Sequence, residues 1–250
     1  ELPGIFTGGG GGGGGTTPAP VPVGFVLTTG DDTFAGGGAG DTVNATATTL
    51  TSGDNINGAA GVDTLAITGG GSISLATPAS LLSIENVTID NAATTLTLGN
   101  AARSVTVAVG TGAHSFVLGD GSAIQNVNGG GGNDTFTVAS NATESNLTLT
   151  GGTGTDVFVI TGTAGGIDLT TMAGFSGFES LTLASGGDIA MNAGQNNAFT
   201  GTISAAGSNV VTISGDGAVT QTLAGVETYT IGDASTNART VAVSAAGTSV

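Results

Sequence analysis

The chain has 250 residues, with 18 acidic and two basic side chains, a formal net charge of −16 and no cysteine. Nucleic acids and anionic membranes are bound by clusters of Lys and Arg, so this composition argues against both as partners. It also excludes disulfides, thiol catalysis and zinc sites built from His and Cys, and no apolar run reaches the roughly 18 residues needed to insert into a bilayer.

Residues 1–24 are predicted to form an arm separate from the rest of the chain. A short apolar tip is followed by eight consecutive glycines and then by a Pro-rich stretch. The simplest interpretation is a flexible linker stiffened by its prolines. Glycine has the largest ordering cost of any residue, so an ordered arm needs a partner. We expect Leu2, Ile5 and Phe6 to contact a neighbouring subunit, with packing against the same chain as the alternative.

Aspartates recur on a fixed stride in the first part of the chain. A 22-residue interval separates Asp32 from Asp54 and also Asp41 from Asp63, and Asp41 follows Asp32 by 9 residues. A stride this regular is typical of a chain that coils on itself, each coil repeating the last. The accompanying glycines permit tight turns, and aspartates supply hard oxygen ligands for a cation.

Short runs of alternating apolar and polar residues predict β-strands throughout residues 25–250. No window has a sustained helical period. Strands this short, repeating every 20-odd residues, predict an all-β, right-handed parallel β-solenoid of roughly 22-residue coils. Tandem Ig-like β-sandwiches are the alternative, especially in the second half, which lacks the Gly-Asp turns. The clearest runs are Leu65–Ile67, Ile73–Leu75, Val87–Ile89, Leu96–Leu98, Val105–Val109, Leu147–Leu149, Val210–Ile213 and Val241–Val243.

A second repeat has the form U-x-x-U-E-x-U-T-U, where U is a large apolar residue. It occurs around Glu85, Glu179 and Glu227. The spacing of its apolar positions predicts a turn that leads into an inward-facing strand, with the glutamate at the corner.

Two nine-residue segments, 129–137 and 151–159, have the form G-G-x-G-x-D-x-U-x, and 58–66 matches with Ala in the second position. This nonapeptide resembles the calcium-binding repeat of RTX proteins. The resemblance implies a turn followed by a short strand, with calcium bound between turns by Asp carboxylates and backbone carbonyls. RTX blocks are long tandem arrays, whereas here the tandem is at most two repeats long.

Calcium sites are predicted where the stride stacks one aspartate over another. Stacked carboxylates about 5 Å apart repel by roughly 1 kcal/mol even in water, and a cation between them removes that repulsion. The alternative is a metal-free turn in which each Asp caps its own backbone. The predicted ligands are Asp32, Asp41, Asp54, Asp63, Asp134 and Asp156, with Asp31 and Asn133 as candidate additional ligands.

Residues 25–250 resemble proteobacterial surface-layer and RTX-type secreted proteins in their uniform pattern of short alternating runs and in both repeats. The resemblance implies a calcium-stabilised structural protein secreted to the bacterial cell surface. Solenoid ends expose unpaired strand edges, and neither residues 24–27 nor Val241–Val243 are guarded by charge or proline. We therefore expect head-to-tail self-assembly into a surface layer or filament, with the chain itself as its main partner.

A monomeric adhesin or binding module of a larger surface protein, with a cell-surface polysaccharide as its partner, is the alternative function. An enzyme is the least favoured class, and no catalytic residue is predicted. The single histidine, His114, is expected to be a strand residue. Two Arg, one Tyr and no Trp leave little to hold a sugar substrate.

Overall fold

In a computed structural model the chain forms a parallel β-solenoid with roughly 22 residues per coil, which confirms the predicted fold class. The structure describes residues 20–99, 103–107, 110–119, 124–139, 144–162, 166–184, 187–215, 219–226, 228–231 and 241–246.

Short strands make up almost all of the regular structure. The first twelve are β1 Gly24–Val26, β2 Thr33–Ala35, β3 Thr42–Ala45, β4 Asn55–Asn57, β5 Thr64–Ile67, β6 Gly71–Ser74, β7 Ser80–Leu82, β8 Asn86–Ile89, β9 Thr94–Gly99, β10 Arg103–Val107, β11 Ser115–Leu118 and β12 Gln125–Asn128. The others are β13 Thr135–Ala139, β14 Leu147–Thr150, β15 Val157–Thr161, β16 Gly166–Asp168, β17 Gly174–Ser176, β18 Ser180–Leu183, β19 Asp188–Asn192, β20 Thr202–Ala205, β21 Val210–Ser214, β22 Val219–Ala224, β23 Thr228–Ile231 and β24 Val241–Ala246. Two 3₁₀ turns, Glu144–Asn146 and Leu169–Thr171, and one helix, α1 Ala193–Ala198, complete the described elements.

The strands stack into sheets that form three sides of the coil. One side is an eight-stranded sheet in the order β1-β3-β5-β8-β10-β12-β14-β17, and a second is a nine-stranded sheet running from β6 to β24. The third side carries β2-β4-β7 near the start of the chain and β16-β19-β21-β23 near its end. Within these smaller sheets, β7 and β16 each follow a strand of the nine-stranded sheet and precede a strand of the eight-stranded one.

Every described pair of strands is parallel, including those of the second half. Ile189 of β19 pairs in parallel with Val211 of β21, and Leu223 of β22 with Ala245 of β24. Ig-like sandwiches are built from antiparallel strands, so the alternative of tandem sandwiches is wrong.

The predicted stride appears directly in the register. Val43 pairs with Leu65 and Leu65 with Val87, each partner lying one coil of roughly 22 residues further along the chain. The step lengthens where the connection between coils is longer, as between Leu149 and its partner Phe175. Coils therefore absorb insertions in their corners while the strands stay aligned.

The core is a column of apolar side chains inside the coils, because alternate residues of each strand point inward. Phenylalanines stack along part of this column. The ring centroids of Phe116 and Phe136 are 4.8 Å apart, those of Phe136 and Phe178 4.9 Å, and those of Phe158 and Phe175 5.1 Å. These rings are buried, with the exception of the partly buried Phe175, and join successive coils into one continuous core.

Helix α1 is not predicted by the apolar pattern, which is too short to show a helical period. Its start is nevertheless marked by a capping box, since the Asn192 side chain accepts from the Gln195 backbone N–H and the Gln195 side chain accepts from that of Asn192. Within the described part of the chain, no helix has the length and apolar character needed to cross a membrane.

The first coil begins slightly earlier than the predicted arm boundary at residue 24. The carbonyl of Val23 already accepts a hydrogen bond from the Thr42 backbone N–H, and Gly24 starts β1. The predicted contact residues of the arm, Leu2, Ile5 and Phe6, lie outside the described residues.

Candidate metal sites in a carboxylate ladder

Each of the six predicted metal-ligating aspartates stands directly before a strand. Asp32 and Asp54 precede β2 and β4 on the third side of the coil, and Asp41 and Asp63 precede β3 and β5. The third pair, Asp134 and Asp156, precedes β13 and β15 of the nine-stranded sheet. The strand registers place both members of every pair in adjacent coils, as the fixed stride predicts.

The two aspartates of each pair are joined by a hydrogen bond from the backbone of one to the carboxylate of the other. The backbone N–H of Asp32 donates to Oδ1 of Asp54 at 2.9 Å, and that of Asp41 donates to Oδ1 of Asp63 at 2.6 Å. Asp134 donates in the same way to Oδ1 of Asp156, at 2.8 Å. With the exception of Asp32, each of these carboxylates holds the corner of the coil before it, and we call this series the carboxylate ladder.

Glutamates end the ladder on two sides of the coil. Oε2 of Glu85 accepts from the Asp63 backbone N–H at 2.9 Å, and Oε2 of Glu179 accepts from that of Asp156 at 2.7 Å. Glu85 precedes β8 and Glu179 precedes β18, which confirms their predicted place at a corner.

The Gly-Asp repeat and the glutamate repeat therefore both supply carboxylates to the same ladder. The signal that could have joined them is spacing, because Glu85 follows Asp63 by 22 residues and Glu179 follows Asp156 by 23 residues. Glu227, in the third copy of the repeat, lies outside the described residues.

Two residues without a carboxylate begin the ladder. The backbone N–H of Val23 donates to Oδ1 of Asp41 at 2.6 Å, and that of His114 to Oδ1 of Asp134 at 2.7 Å. The sequence predicts His114 to be a strand residue, but it lies directly before β11, at the corner, and not within the strand. Its ring is buried, neither ring nitrogen has a hydrogen-bond partner among the described residues, and burial lowers the pKa of the imidazole.

The second carboxylate oxygen divides the six aspartates into two groups. Oδ2 of Asp32, Asp41 and Asp54 accepts a backbone N–H within its own loop, from Thr28 at 2.6 Å, Gly37 at 2.8 Å and Thr51 at 2.7 Å respectively. Oδ2 of Asp63, Asp134 and Asp156 is buried and has no hydrogen-bond partner among the described residues.

An asparagine six positions before the aspartate explains two of these orphaned oxygens. In the Asp41 loop that position is Ala35, and the N–H two positions later is free to bond the carboxylate. In the other loops Asn57 takes the N–H of Ala59, and Asn128 takes that of Gly130, each at 3.0 Å. Oδ2 of Asp63 and Asp134 then loses its nearest donor.

The leading glycine of each nonapeptide is required for space. A Cβ on Gly129 would overlap the Asp134 carboxylate and the Gly151 carbonyl of the next coil, although Gly129 has no left-handed φ. Left-handed backbone occurs instead at the second and fourth positions, as at Gly130 (φ 81°) and Gly132 (φ 113°). Ala59 adopts φ 72° in the second position, where an L-residue is strained.

The donor set around the orphaned oxygens is made of hard oxygens, which Ca²⁺ prefers in sets of about six to eight. In the Asp63 loop, Oδ2 and the carbonyl of Ser83 both lie against Gly58. No three His, Cys, Asp or Glu side chains gather into a metal-binding group within the described residues. A calcium ion here would therefore depend on backbone carbonyls and water for most of its ligands, and the site stays a prediction.

The two candidate additional ligands lie at the surface. The Asp31 carboxylate packs against Gly53 of the next coil, and Oδ1 of Asn133 accepts from the Thr155 backbone N–H at 2.9 Å. Asn133 thus adds a cross-coil hydrogen bond beside that of Asp134.

Comparison with known proteins adds no relative to this picture. A scan against protein-family models gives no match, and searches of curated proteins and of solved structures give no significant match.

Gly129→Ala is expected to destabilise the protein by about 1–3 kcal/mol, because the new methyl overlaps a carboxylate and a backbone carbonyl that cannot both retreat. Gly37→Ala is the matched control. It lies in open space without a left-handed φ and keeps its N–H to Asp41, so it should be neutral or stabilise by about 0.4–1 kcal/mol. Chemical denaturation measures both, and equal effects of the two substitutions would contradict this role for the leading glycine.

Acidification in calcium-free buffer is expected to stabilise the fold. Burial raises the pKa of Asp134 to about 6 and also raises that of Asp156, so the folded state favours their neutral forms. This contribution is fully present below the unfolded pKa near 4 and is lost as the pH rises through about 6. Thermal melting between pH 4 and 7 should show it, and Asp134→Asn should flatten the curve whereas Asp188→Asn should not. Parallel curves for the three proteins would contradict the assignment.

Proposed function

We propose that this chain is a calcium-stabilised extracellular structural protein of the bacterial surface that self-assembles head to tail into a surface layer or filament. The carboxylate ladder carries the proposal. Asp41, Asp63 and Glu85 on one side, and Asp134, Asp156 and Glu179 on another, hold one coil to the next. In an acidic chain, using these charges as coil-to-coil clips favours a mechanical role for the protein.

The proposed calcium binding is supported by the three aspartates whose second carboxylate oxygen has no hydrogen-bond partner among the described residues. Asp63, Asp134 and Asp156 each keep one buried oxygen without a partner, and burying an ionised group without full compensation is costly. Each of these carboxylates would contribute to a calcium site in its own part of the rod, that of Asp63 together with the Ser83 carbonyl, which also lies against Gly58. A bound divalent cation would neutralise the buried charge and tie adjacent coils together.

The outermost strands that the structure describes support the proposed assembly. At the N-terminal end β1 and β2 are the outermost strands of their sheets, and at the other end β23 and β24 are the outermost of theirs. Val21, Val23 and Val26 are exposed by 76%, 47% and 68%, which places an apolar patch on the first coil. A head-to-tail contact between unlike ends is heterologous and generates an open filament, with the N-terminal arm as an additional contact.

A monomeric binding module remains the second candidate because of the outer face of the eight-stranded sheet. Its outward positions form rows of small uncharged side chains, one per coil, with Thr42, Thr64, Asn86, Asn126 and Thr148 in one row. Such a face could lie along a neutral polysaccharide chain without repulsion.

Calcium is expected to raise the melting temperature of the purified chain and to promote filaments or sheets visible by electron microscopy. A site of this class binds with a Kd of about 10⁻⁴–10⁻³ M, and a hundred-fold excess over Kd stabilises by about 2.7 kcal/mol. Asp156→Asn should lose most of the calcium-dependent shift, and Asp188→Asn should keep it. Magnesium, which gives up its waters reluctantly, should be a weaker substitute.

Two results would overturn different parts of this proposal. A melting temperature that does not respond to calcium in the wild type would remove the cation. A calcium-loaded monomer at high concentration would remove assembly, and co-sedimentation of that monomer with a neutral polysaccharide would establish the binding module instead.

A further inference from the structure

The N-terminal end of the rod presents an open parallel strand edge on the third side of the coil. The Asn55 N–H donates to the Asp32 carbonyl at 2.8 Å, and the Gly36 N–H donates to the Asn57 carbonyl at 2.8 Å. The even-numbered residues of β2 and its flanks therefore direct their backbone groups towards β4. In a parallel strand the alternate residues direct their backbone groups to the opposite edge. Thr33 and Ala35 therefore point theirs outward, where no described residue pairs with them.

The carboxylate ladder is also unfinished at this edge. Five of the six aspartates have one carboxylate oxygen that accepts a hydrogen bond from the coil before. The donor is in each case the backbone N–H of the residue that directly precedes a strand. These aspartates are Asp41, Asp54, Asp63, Asp134 and Asp156. In Asp32, Oδ2 is taken by Thr28, and Oδ1 has no partner among the described residues. Asp32 thus holds an acceptor ready for a coil that would lie before the first one.

The opposite end of the rod carries a strand on the same side. In the four-stranded sheet β23 is outermost, and it pairs in parallel with β21 on one edge only among the described strands. Strand β7 of the β2 sheet and strand β16 of the β23 sheet both lie between a strand of the nine-stranded sheet and a strand of the eight-stranded sheet, so the two small sheets lie on the same side of the coil. When two rods stack end to end, the outer edge of β23 is therefore the natural partner of the outer edge of β2.

We propose that assembly proceeds by parallel β-augmentation, in which β23 of a second copy adds to the outer edge of β2 and Oδ1 of Asp32 accepts a backbone N–H of that copy. This rests on the proposed head-to-tail function and names its contact. The junction repeats the coil-to-coil geometry found within the chain, so the filament continues the same sheet and the same ladder across subunits. The exposed Val21, Val23 and Val26 lie at this end and lose water when the second copy docks.

Ala35→Pro tests the contact without touching the fold. Ala35 is exposed, its N–H points to the outer edge, and proline is tolerated on edge strands, so the monomer should melt as the wild type does. The missing donor and added ring should block an incoming strand, leaving monomers by sedimentation and electron microscopy. Ala35→Val, which adds side-chain bulk but keeps the N–H, should still form filaments.

A mixing experiment gives the polarity of the contact. A minor fraction of Ala35→Pro keeps an intact C-terminal end, so it should add to the N-terminal end of a growing filament and stop growth there. Filaments of the wild type should become shorter as the fraction rises. A misfolded variant would leave their length unchanged.

Filaments of Ala35→Pro that match the wild type in length and number would overturn the β2 contact while leaving head-to-tail assembly standing. A wild type that stays monomeric with and without calcium would overturn the proposed function and this contact together. Loss of assembly in Ala35→Val as well would also contradict the proposal, because it would point to side-chain packing and not to the strand edge.

Discussion

A buried carboxylate that accepts a hydrogen bond from the coil before it is the interaction on which this solenoid depends. Strands of three to six residues contribute little pairing each, and corners would otherwise leave backbone N–H groups buried without partners. By standing directly before the strand, an aspartate such as Asp134 reaches the corner of the preceding coil and sets the strand register at the same time. Charge assistance makes this bond stronger than one between neutral groups.

The same arrangement has a cost, because it concentrates negative charge inside an already acidic rod. Where a loop N–H reaches the second carboxylate oxygen, as Gly37 does for Asp41, the site is complete. Where Asn57 or Asn128 captures that N–H, the oxygen is left buried and bare. Protonation or a divalent cation can each relieve that state, and this links the raised pKa of Asp134 to the proposed role of calcium.

The fixed stride and the alternating runs are sufficient to predict a parallel solenoid and to pair Asp41 with Asp63 and Asp134 with Asp156. What they cannot show is the direction of the carboxylates, because spacing places two side chains in adjacent coils without saying which atoms meet. Glu85 falls in a separate sequence repeat although it follows Asp63 by the same interval that separates Asp41 from Asp63. Apart from that interval, nothing in the sequence indicates that Glu85 occupies the same position in the carboxylate ladder. The helix Ala193–Ala198 escapes prediction because its capping box is local and its apolar face is short.

The Asp134 amide gives the most direct test of the ladder, because its only role there is to donate to Oδ1 of Asp156 at 2.8 Å. Backbone hydrogen exchange should be slow at this amide in the wild type, much faster in Asp156→Ala, and slow again in Asp156→Asn, which keeps an oxygen acceptor. An Asp134 amide that exchanges as fast as a solvent-exposed loop, or at the same rate in all three proteins, would contradict the carboxylate ladder.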